Sequence, residues 1–287
     1  MKIRFILNPI SGNQKANVEK IQAQIQKYFE GAELCVTQGP QHAALLAHEA
    51  AEQHYDVAVA MGGDGTINEV MQGLLGSTTA LGIIPRGSGN GFARELKLMG
   101  PLHKTLKKLQ TGTFVPCDVG YANDEPFLNL AGVGIEAAIA WKFAQQKKRG
   151  MLPYFTLAAK TLLSYKPPVL RVTINGEEYR WAPLSLVFAN NRQYGSNFIV
   201  APDAAIADGK LDLVVIKNVF ILKLLAALPS FFAGKVPPAG VTAYAQLQEA
   251  VIESDQEIFY HIDGEPRKTD RRLEIKLVPH ALRLWVP

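Results

Sequence analysis

The sequence predicts an α/β chain in two parts. A parallel-sheet domain spans residues 1–118, and a mostly antiparallel β domain spans 119–287, with room for the C-terminal tail to return to the first part. Three observations predict it. Strand-like and helix-like segments alternate through the first third of the chain. Short strand candidates follow one another after residue 113. No repeat, low-complexity run or linker separates the two patterns, so the boundary is a change of pattern alone.

The elements follow in order. "IRFIL" (3–7) is a short apolar run that suits a buried strand. Val18, Ile21, Ile25 and Tyr28 recur at three- and four-residue spacing, so 16–30 reads as an amphipathic helix. "AELCVT" (32–37) is strand-like, and the alanine-rich "HAALLAHEAAEQ" (42–53) is helical. "DVAVAM" (56–61) is a strand, and Ile67, Val70, Met71 and Leu74 give the next helix its buried face. "ALGIIP" (80–85) and "PLHKTLKKLQTG" (101–112) add a strand and a helix. Alternation at this pitch argues for a parallel sheet covered on both faces. Beyond it, "FVPCDVGYA", "PFLNLAG", "PVLRVTI", "EYRWAPLSLVFAN", "KLDLVVI", "AVIES", "IFYHID", "RLEIKLV" and "ALRLWV" each read as strand. Asn175-Gly176 suits a tight hairpin turn whose central residues need positive φ. Helices are expected near 135–164 and 219–232.

Bulk properties narrow the function classes. Hydrophobic residues make up 48% of the 287 and charged residues 20%, enough apolar content for a sizeable core and against disorder. A net charge of +4 suits a phosphate-bearing ligand or an anionic membrane surface but does not indicate a nucleic-acid partner. The two cysteines, Cys35 and Cys117, have no metal-ligand partners at motif spacing, and a reducing cytoplasm is the simplest setting. The first apolar run breaks at Asn8-Pro9, too short for a signal peptide. "VFILKLLAALPSFFAG" is interrupted by Lys223 and Pro229 and falls short of the ~20 apolar residues of a membrane span. The expectation is a cytoplasmic protein without a transmembrane segment, peripheral at most at the inner membrane face.

Three glycine-bearing loops carry the chemistry. "NPISGNQ" (8–14), "GGDGTIN" (62–68) and "PRGSGNGFAR" (85–94) each follow a strand of the parallel sheet. The right-handed crossover rule brings all three out on the carboxyl edge, where ligands of such sheets bind. Glycines let backbone N–H groups approach phosphate oxygens, and a following helix adds its positive end. Asp64 is unfavourable beside phosphates unless a cation comes with them, and nucleotide-bound Mg²⁺ meets that need. The plainer alternative is that Asp64 caps the helix starting near Thr66.

"NPISG", "GGDGTINE" and "PRGSGNGFAR", with "HIDGEP" (261–266) far downstream, together resemble the diacylglycerol kinase catalytic family, which includes bacterial lipid kinases and the sphingosine kinases. The resemblance covers nearly the whole chain. It implies an ATP-binding, NAD kinase-like or Rossmann-like first domain, a β-sandwich second domain, and an active site to which both contribute. It implies that Asn8, Pro9, Ile10, Ser11 and Gly12, with Gly62, Gly63, Asp64, Gly65, Thr66, Ile67 and Asn68, cradle the nucleotide. Thr37, Ser88 and Asn90 match further nucleotide positions. Asp118 and Glu265 complete the acidic set with Asp64. Glu265 is the preferred proton acceptor and Asp64 the preferred metal organiser, although sphingosine kinase relatives give the base role to the Asp64 position. A structural Mg²⁺ site matches Asp208 with the backbone oxygens of Ala205 and Lys210, against the plain alternative of a hairpin turn at Asp208-Gly209. One departure stands out: where the family reads Asn-Asp, this chain reads Asn90-Gly91, so a carboxylate is missing.

The implied activity is ATP- and Mg²⁺-dependent transfer of a γ-phosphate to a lipid hydroxyl such as that of diacylglycerol, at a membrane surface. Two alternatives stay open: a non-catalytic nucleotide- or lipid-binding regulator, and a kinase for a soluble alcohol such as NAD. Phe220, Leu224, Leu225, Leu228, Phe231 and Phe232 form a stripe that either packs into the core or lines a lipid path. The basic run "QQKKRG" (145–150) reads as a solvated helix end or a membrane contact. An exposed sheet edge leaves a homodimer open.

Overall fold

The computed structural model describes residues 1–12, 16–87, 89–146, 151–195, 198–235 and 240–287. The chain forms two compact units, Met1–Val119 with Pro279–Pro287, and Gly120–Val278.

Unit 1 begins with β1 (Ile3–Leu7), α1 (Val18–Tyr28), β2 (Glu33–Val36), α2 (His42–Glu52), β3 (Val57–Gly62), α3 (Asp64–Leu74) and β4 (Ala80–Pro85). Two helices follow, α4 (Gly91–Glu95) and α5 (Leu102–Leu109), and then β5 (Thr113–Ala122), within which the chain passes into unit 2. The sheet order is β2-β1-β3-β4, all parallel. Every residue of β1 and β3 is buried, as expected for strands covered on both faces. Asn17 caps α1 by accepting from the Lys20 N–H, and Ile21 and Ile25 turn inward. The alanine richness of α2 has a packing reason. A Cβ on Gly73 of α3 would lie 2.2 Å from the Ala44 carbonyl oxygen, so the two helices meet almost backbone to backbone.

Unit 2 continues with β6 (Glu125–Phe127), β7 (Leu130–Gly134), α6 (Ile135–Ala144), α7 (Met151–Ser164), β8 (Leu170–Ile174), β9 (Glu177–Trp181), β10 (Ser185–Ala189), β11 (Gln193–Gly195) and β12 (Phe198–Ile199). It ends with β13 (Leu211–Ile216), α8 (Ile221–Phe232), β14 (Thr242–Leu247), β15 (Glu249–Ser254), β16 (Ile258–Ile262), β17 (Glu265–Thr269) and the first half of β18 (Arg272–Val286). One sheet runs β14-β13-β10-β7-β16-β17 and is antiparallel throughout. A second antiparallel set runs β18-β15-β8-β9. Phe127, Leu186, Phe188, Val172, Ile252 and Leu273 fill the core between them. On the other face of the first sheet, Val187, Val214 and Leu130 pack against Ala227 and Phe231 of α8.

The fold class is as the pattern predicts, and its differences are local. "EYRWAPLSLVFAN" is two strands, because Pro183 offers no N–H to a ladder. "PFLNLAG" also divides, into β6 and β7, and the helical region 135–164 into α6 and α7. "RLEIKLV" and "ALRLWV" are one strand, β18, with His280 at φ 51° taking up the irregularity. Asn175 and Gly176 adopt φ 51° and 83°, as the hairpin requires. Strands β14 and β17 escape the pattern because they are edge strands, β14 mostly exposed and β17 without a buried residue. Among the described residues no helix is long and apolar enough to cross a membrane.

Candidate active site

In unit 1 the three loops come together. A Cβ on Gly87 would lie 2.6 Å from Gly63 Cα, and one on Gly12 would lie 2.7 Å from the Arg86 carbonyl oxygen. These approaches admit only glycine. Gly12 also stands at φ 96°, in the left-handed region. The Arg86 N–H donates to Gly62 O at 2.7 Å, tying the second loop to the third. Asn8 ties the first to the second: its Nδ2 donates to Thr66 Oγ1 at 3.1 Å, and its Oδ1 accepts from the Ile10 N–H.

Asp64 is the first residue of α3, and Gly63 holds the cap position with no side-chain capping bond. The expected alternative, Asp64 as a simple cap, is therefore corrected. Its carboxylate faces the backbone N–H groups of Asn90, Phe92 and Gly91 at the start of α4. Burial raises its pKa above the ordinary carboxylate value, and those donors oppose the rise. Oδ1 is buried and has no hydrogen-bond partner among the described residues. Arg86 Nε is likewise buried and has no acceptor among the described residues. Arg86, Ser11, Gly12, Ile84, Gly100 and Leu102 line a cavity of about 320 Å³. One unpaired acceptor and one unpaired guanidinium donor, on loops in mutual contact, suit a phosphate that arrives with a cation. Sequence reasoning missed Arg86, although a cation inside a glycine loop was a visible signal.

Other expected residues fall into distinct places. Ile67 is core, and its N–H bonds to Gly63 O, so it supports the loop from beneath. Asn68 accepts from Gln72 on the helix surface, and Gly65 is exposed. Thr37 is buried just past β2, its N–H donating to Leu7 O at 2.9 Å. Asn90 has its side chain turned into its own loop, exchanging bonds with the Gly87 N–H and carbonyl at 2.9 and 2.6 Å. Gly91, where the resemblance leads to an expected acid, presents its N–H to Asp64. Ser88 lies outside the described residues, as do residues 147–150 of the basic run. Asp118 is wholly buried, and its Oδ1 accepts from the His280 N–H at 2.8 Å, close to the irregularity in β18.

In unit 2, Asp263-Gly264 makes the β16–β17 turn with φ 49° and 88°. The Asp263 carboxylate accepts from the N–H groups of Leu128, Asn129 and Leu130 at 3.4, 3.0 and 3.0 Å. Glu265 follows with its side chain two-thirds exposed, 3.6 Å from Arg267. Beside this turn lies a buried cluster that the sequence did not announce. His261 Nδ1 accepts from the Gly264 N–H, so Nε2 carries the proton and faces Glu136 Oε1 at 3.9 Å. Ser185 Oγ donates to the same Glu136 oxygen at 2.5 Å, and the Tyr194 hydroxyl stands 3.5 Å from His261 Nε2. Burial pushes Glu136 up to about 7 and His261 down to about 4. The cluster needs Gly132, whose Cβ would stand 2.5 Å from His261 Nε2.

The expected cation loop is also in unit 2. Ala205, Asp208 and Lys210 are exposed, and Asp208 Oδ1 accepts from the Lys210 N–H at 3.1 Å in a turn closed by Gly209 at φ 72°. Asp212 Oδ2 is buried and has no partner among the described residues. Burial raises the Asp212 pKa, with Asp208 and Asp203 adding to the rise and Gln246 opposing it. Among the described residues no group of three or more His, Cys, Asp and Glu side chains is gathered to hold a metal.

Comparison with known proteins places these features in a family. The diacylglycerol kinase catalytic domain model matches residues 2–122, and the YegS C-terminal NAD kinase beta sandwich-like domain model matches residues 129–286. The chain is 28% identical to a diacylglycerol kinase of Bacillus subtilis over 92% of its length and 89% of that protein. It is 31% identical to a Citrobacter koseri protein named "Probable lipid kinase YegS-like", over 83% of its length and 81% of that protein. A crystal structure of a diacylglycerol kinase from Bacillus anthracis matches with a TM-score of 0.76 at 20% identity, covering 100% of this chain and 97% of that one, a likeness of fold. The chain belongs to the diacylglycerol kinase catalytic-domain family and carries the YegS-type C-terminal domain.

Proposed function

We propose that this protein is an ATP- and Mg²⁺-dependent lipid kinase that transfers the γ-phosphate to a lipid hydroxyl such as that of diacylglycerol. One observation carries this reading. Three glycine loops meet in unit 1 around a buried Arg86 Nε and a buried Asp64 Oδ1, neither of which has a partner among the described residues. Nucleotide binding is assigned to residues 1–118 and the acceptor lipid to 119–287.

The Gly12 N–H and the first-turn N–H groups of α3 take the phosphates, while the rest of Asn8–Gly12 and Gly62–Asn68, with Thr37, Ser88 and Asn90, shape their surroundings. Arg86 Nε donates to a phosphate oxygen. Mg²⁺ bound with the nucleotide supplies the positive charge that the Asp64 carboxylate balances. Glu265 accepts the proton of the acceptor hydroxyl as its oxygen bonds to phosphorus and ADP departs. Asp118 acts as a positioning residue through the His280 backbone. At Asp208, with the carbonyls of Ala205 and Lys210, a structural Mg²⁺ fits the orphaned Asp212 Oδ2 nearby. If so, Mg²⁺ raises the melting temperature, EDTA reverses the effect, and Asp208→Asn removes it.

Labelled ATP with Mg²⁺, diacylglycerol, other lipid alcohols and NAD tests the whole. Transfer to lipid is expected. Transfer to NAD alone points to a soluble-alcohol kinase, and nucleotide binding without transfer points to a regulator, with Gly91 as its first suspect. Glu265→Ala should keep ATP binding and lose about 10²–10⁴-fold in turnover. Near wild-type turnover in that variant removes Glu265 from the role of base.

A further inference from the structure

Helix α8 has one face in the core and another that is largely exposed, where the Phe232 ring meets Phe198 edge-on at 5.4 Å. Leu224 and Leu228 are half-buried, while Ala227 and Phe231 are buried against β10 and β13. The opposite stripe is apolar as well. Leu222, Leu225, Ala226, Pro229 and Phe232 recur at helical spacing and are all exposed. Phe220, Leu222 and Phe232 are 70%, 63% and 59% exposed, far from the half-covered state usual for large side chains at a surface. Single exposed hydrophobics are ordinary, but a continuous stripe along one helix marks an interaction face. The stripe thus divides the six apolar residues of this segment between core and surface.

Charge chooses the occupant. From Leu213 to Gln248 the sequence contains no Asp or Glu, and it contains Lys217, Lys223 and Lys235. All three lysines are exposed, before, within and after the helix. An acid-free apolar stripe flanked by lysines is the composition that lies in the boundary of an anionic bilayer, with the lysine heads at phosphate level. A protein partner would more often present a polar rim of both signs.

We propose that α8 is a membrane-docking helix, its Leu222–Phe232 stripe entering the acyl boundary of an anionic lipid surface. The proposal deepens the lipid-kinase reading, on which its purpose rests, but its test does not depend on catalysis. Full-length protein is sedimented with sucrose-loaded vesicles of phosphatidylcholine, alone or mixed with phosphatidylglycerol. Binding to the mixed vesicles is expected. Leu222→Ser with Leu225→Ser should lower the partition coefficient by more than about 10-fold, because each exchange removes a buried leucine's transfer energy. Lys223→Gln should lower it about fivefold on the anionic vesicles and little on the neutral ones.

Wild-type protein that stays in the supernatant overturns the proposal, as does a double variant that binds like wild type. So does a concentration-dependent dimer in vesicle-free buffer that the double variant abolishes, since a second copy would then cover the face. An unchanged melting temperature in the variants shows that they fold. Phosphate transfer to a short-chain diacylglycerol dissolved as monomers reports on the kinase reading alone. Docking without transfer therefore sinks that reading and spares this one, and transfer without docking does the reverse.

Discussion

Two turns in this molecule use aspartate, glycine and close backbone contact in opposite ways. In Gly62-Gly63-Asp64-Gly65, Gly63 admits the neighbouring loop at Gly87, Gly62 makes room for Thr66, and the aspartate keeps one buried oxygen without a partner among the described residues. In Asp263-Gly264-Glu265 the aspartate is engaged by three backbone N–H groups, the glycine stands in open space, and the glutamate is exposed. The difference teaches that an acid's place in a motif does not set its work. A carboxylate engaged by three backbone donors holds the fold, while one with an unpartnered buried oxygen keeps hydrogen-bonding capacity in reserve.

The largest test of this contrast is Asp263→Ala. It leaves the buried N–H groups at Leu128–Leu130 without their acceptor, so urea unfolding should show a loss of about 3–5 kcal/mol. A loss under about 1 kcal/mol would break the comparison by making Asp263 dispensable to the fold.

The buried cluster beside that turn gives the next effect. Glu136 has a raised pKa, so the folded state holds more protons than the unfolded one between its ordinary value of 4.5 and about 7, and stability falls as pH rises through that window. His261 has a lowered pKa, so the unfolded state holds more protons between about 4 and 6.5, and stability rises with pH there. In wild type the two slopes oppose each other. His261→Gln should expose a stability that falls from pH 4.5 towards 7, and Glu136→Gln one that rises from pH 4 to 6.5. Each change should be on the order of 3 kcal/mol. Urea midpoints measured across that pH range read the slopes directly.

Gly87→Ala comes third. Its methyl would collide with the Gly63 backbone and Asn90 Oδ1. Moving the loops apart by a fraction of a bond length should weaken nucleotide binding about 100-fold, measurable by calorimetric titration. Gly264→Ala is the smallest. It meets nothing within 4 Å but stands at φ 88°, so it should cost about 1–2 kcal/mol of stability and leave nucleotide affinity alone. Equal effects of the two alanines on nucleotide affinity would erase the distinction between the turns.

Much of this was legible before any coordinates. Continuous apolar runs at β1, β3 and β4, with helical periodicity between them, announced a doubly covered parallel sheet because burial on both faces leaves no polar alternation. Asn175-Gly176 announced its hairpin because few other pairs adopt two successive positive φ values. The edge strands β14 and β17 were not legible, since their pairing comes from a neighbour and not from a buried face of their own. Nor was the Glu136–His261–Ser185 cluster, whose members lie on different strands and a helix.

By itself the sequence determined the fold class, the strands and main helices of the parallel sheet and the three glycine loops, because each is written in local spacing and in the small size of glycine. Only the tertiary structure decided which polar groups are already satisfied. Asn90 and Asp263 are held by backbone within the fold, whereas Asp64 Oδ1 and Arg86 Nε have no partner among the described residues. It also decided which side of α8 stays in water. Both are questions of what distant residues bring to one place, and a hydrogen bond or a buried face exists only once they arrive.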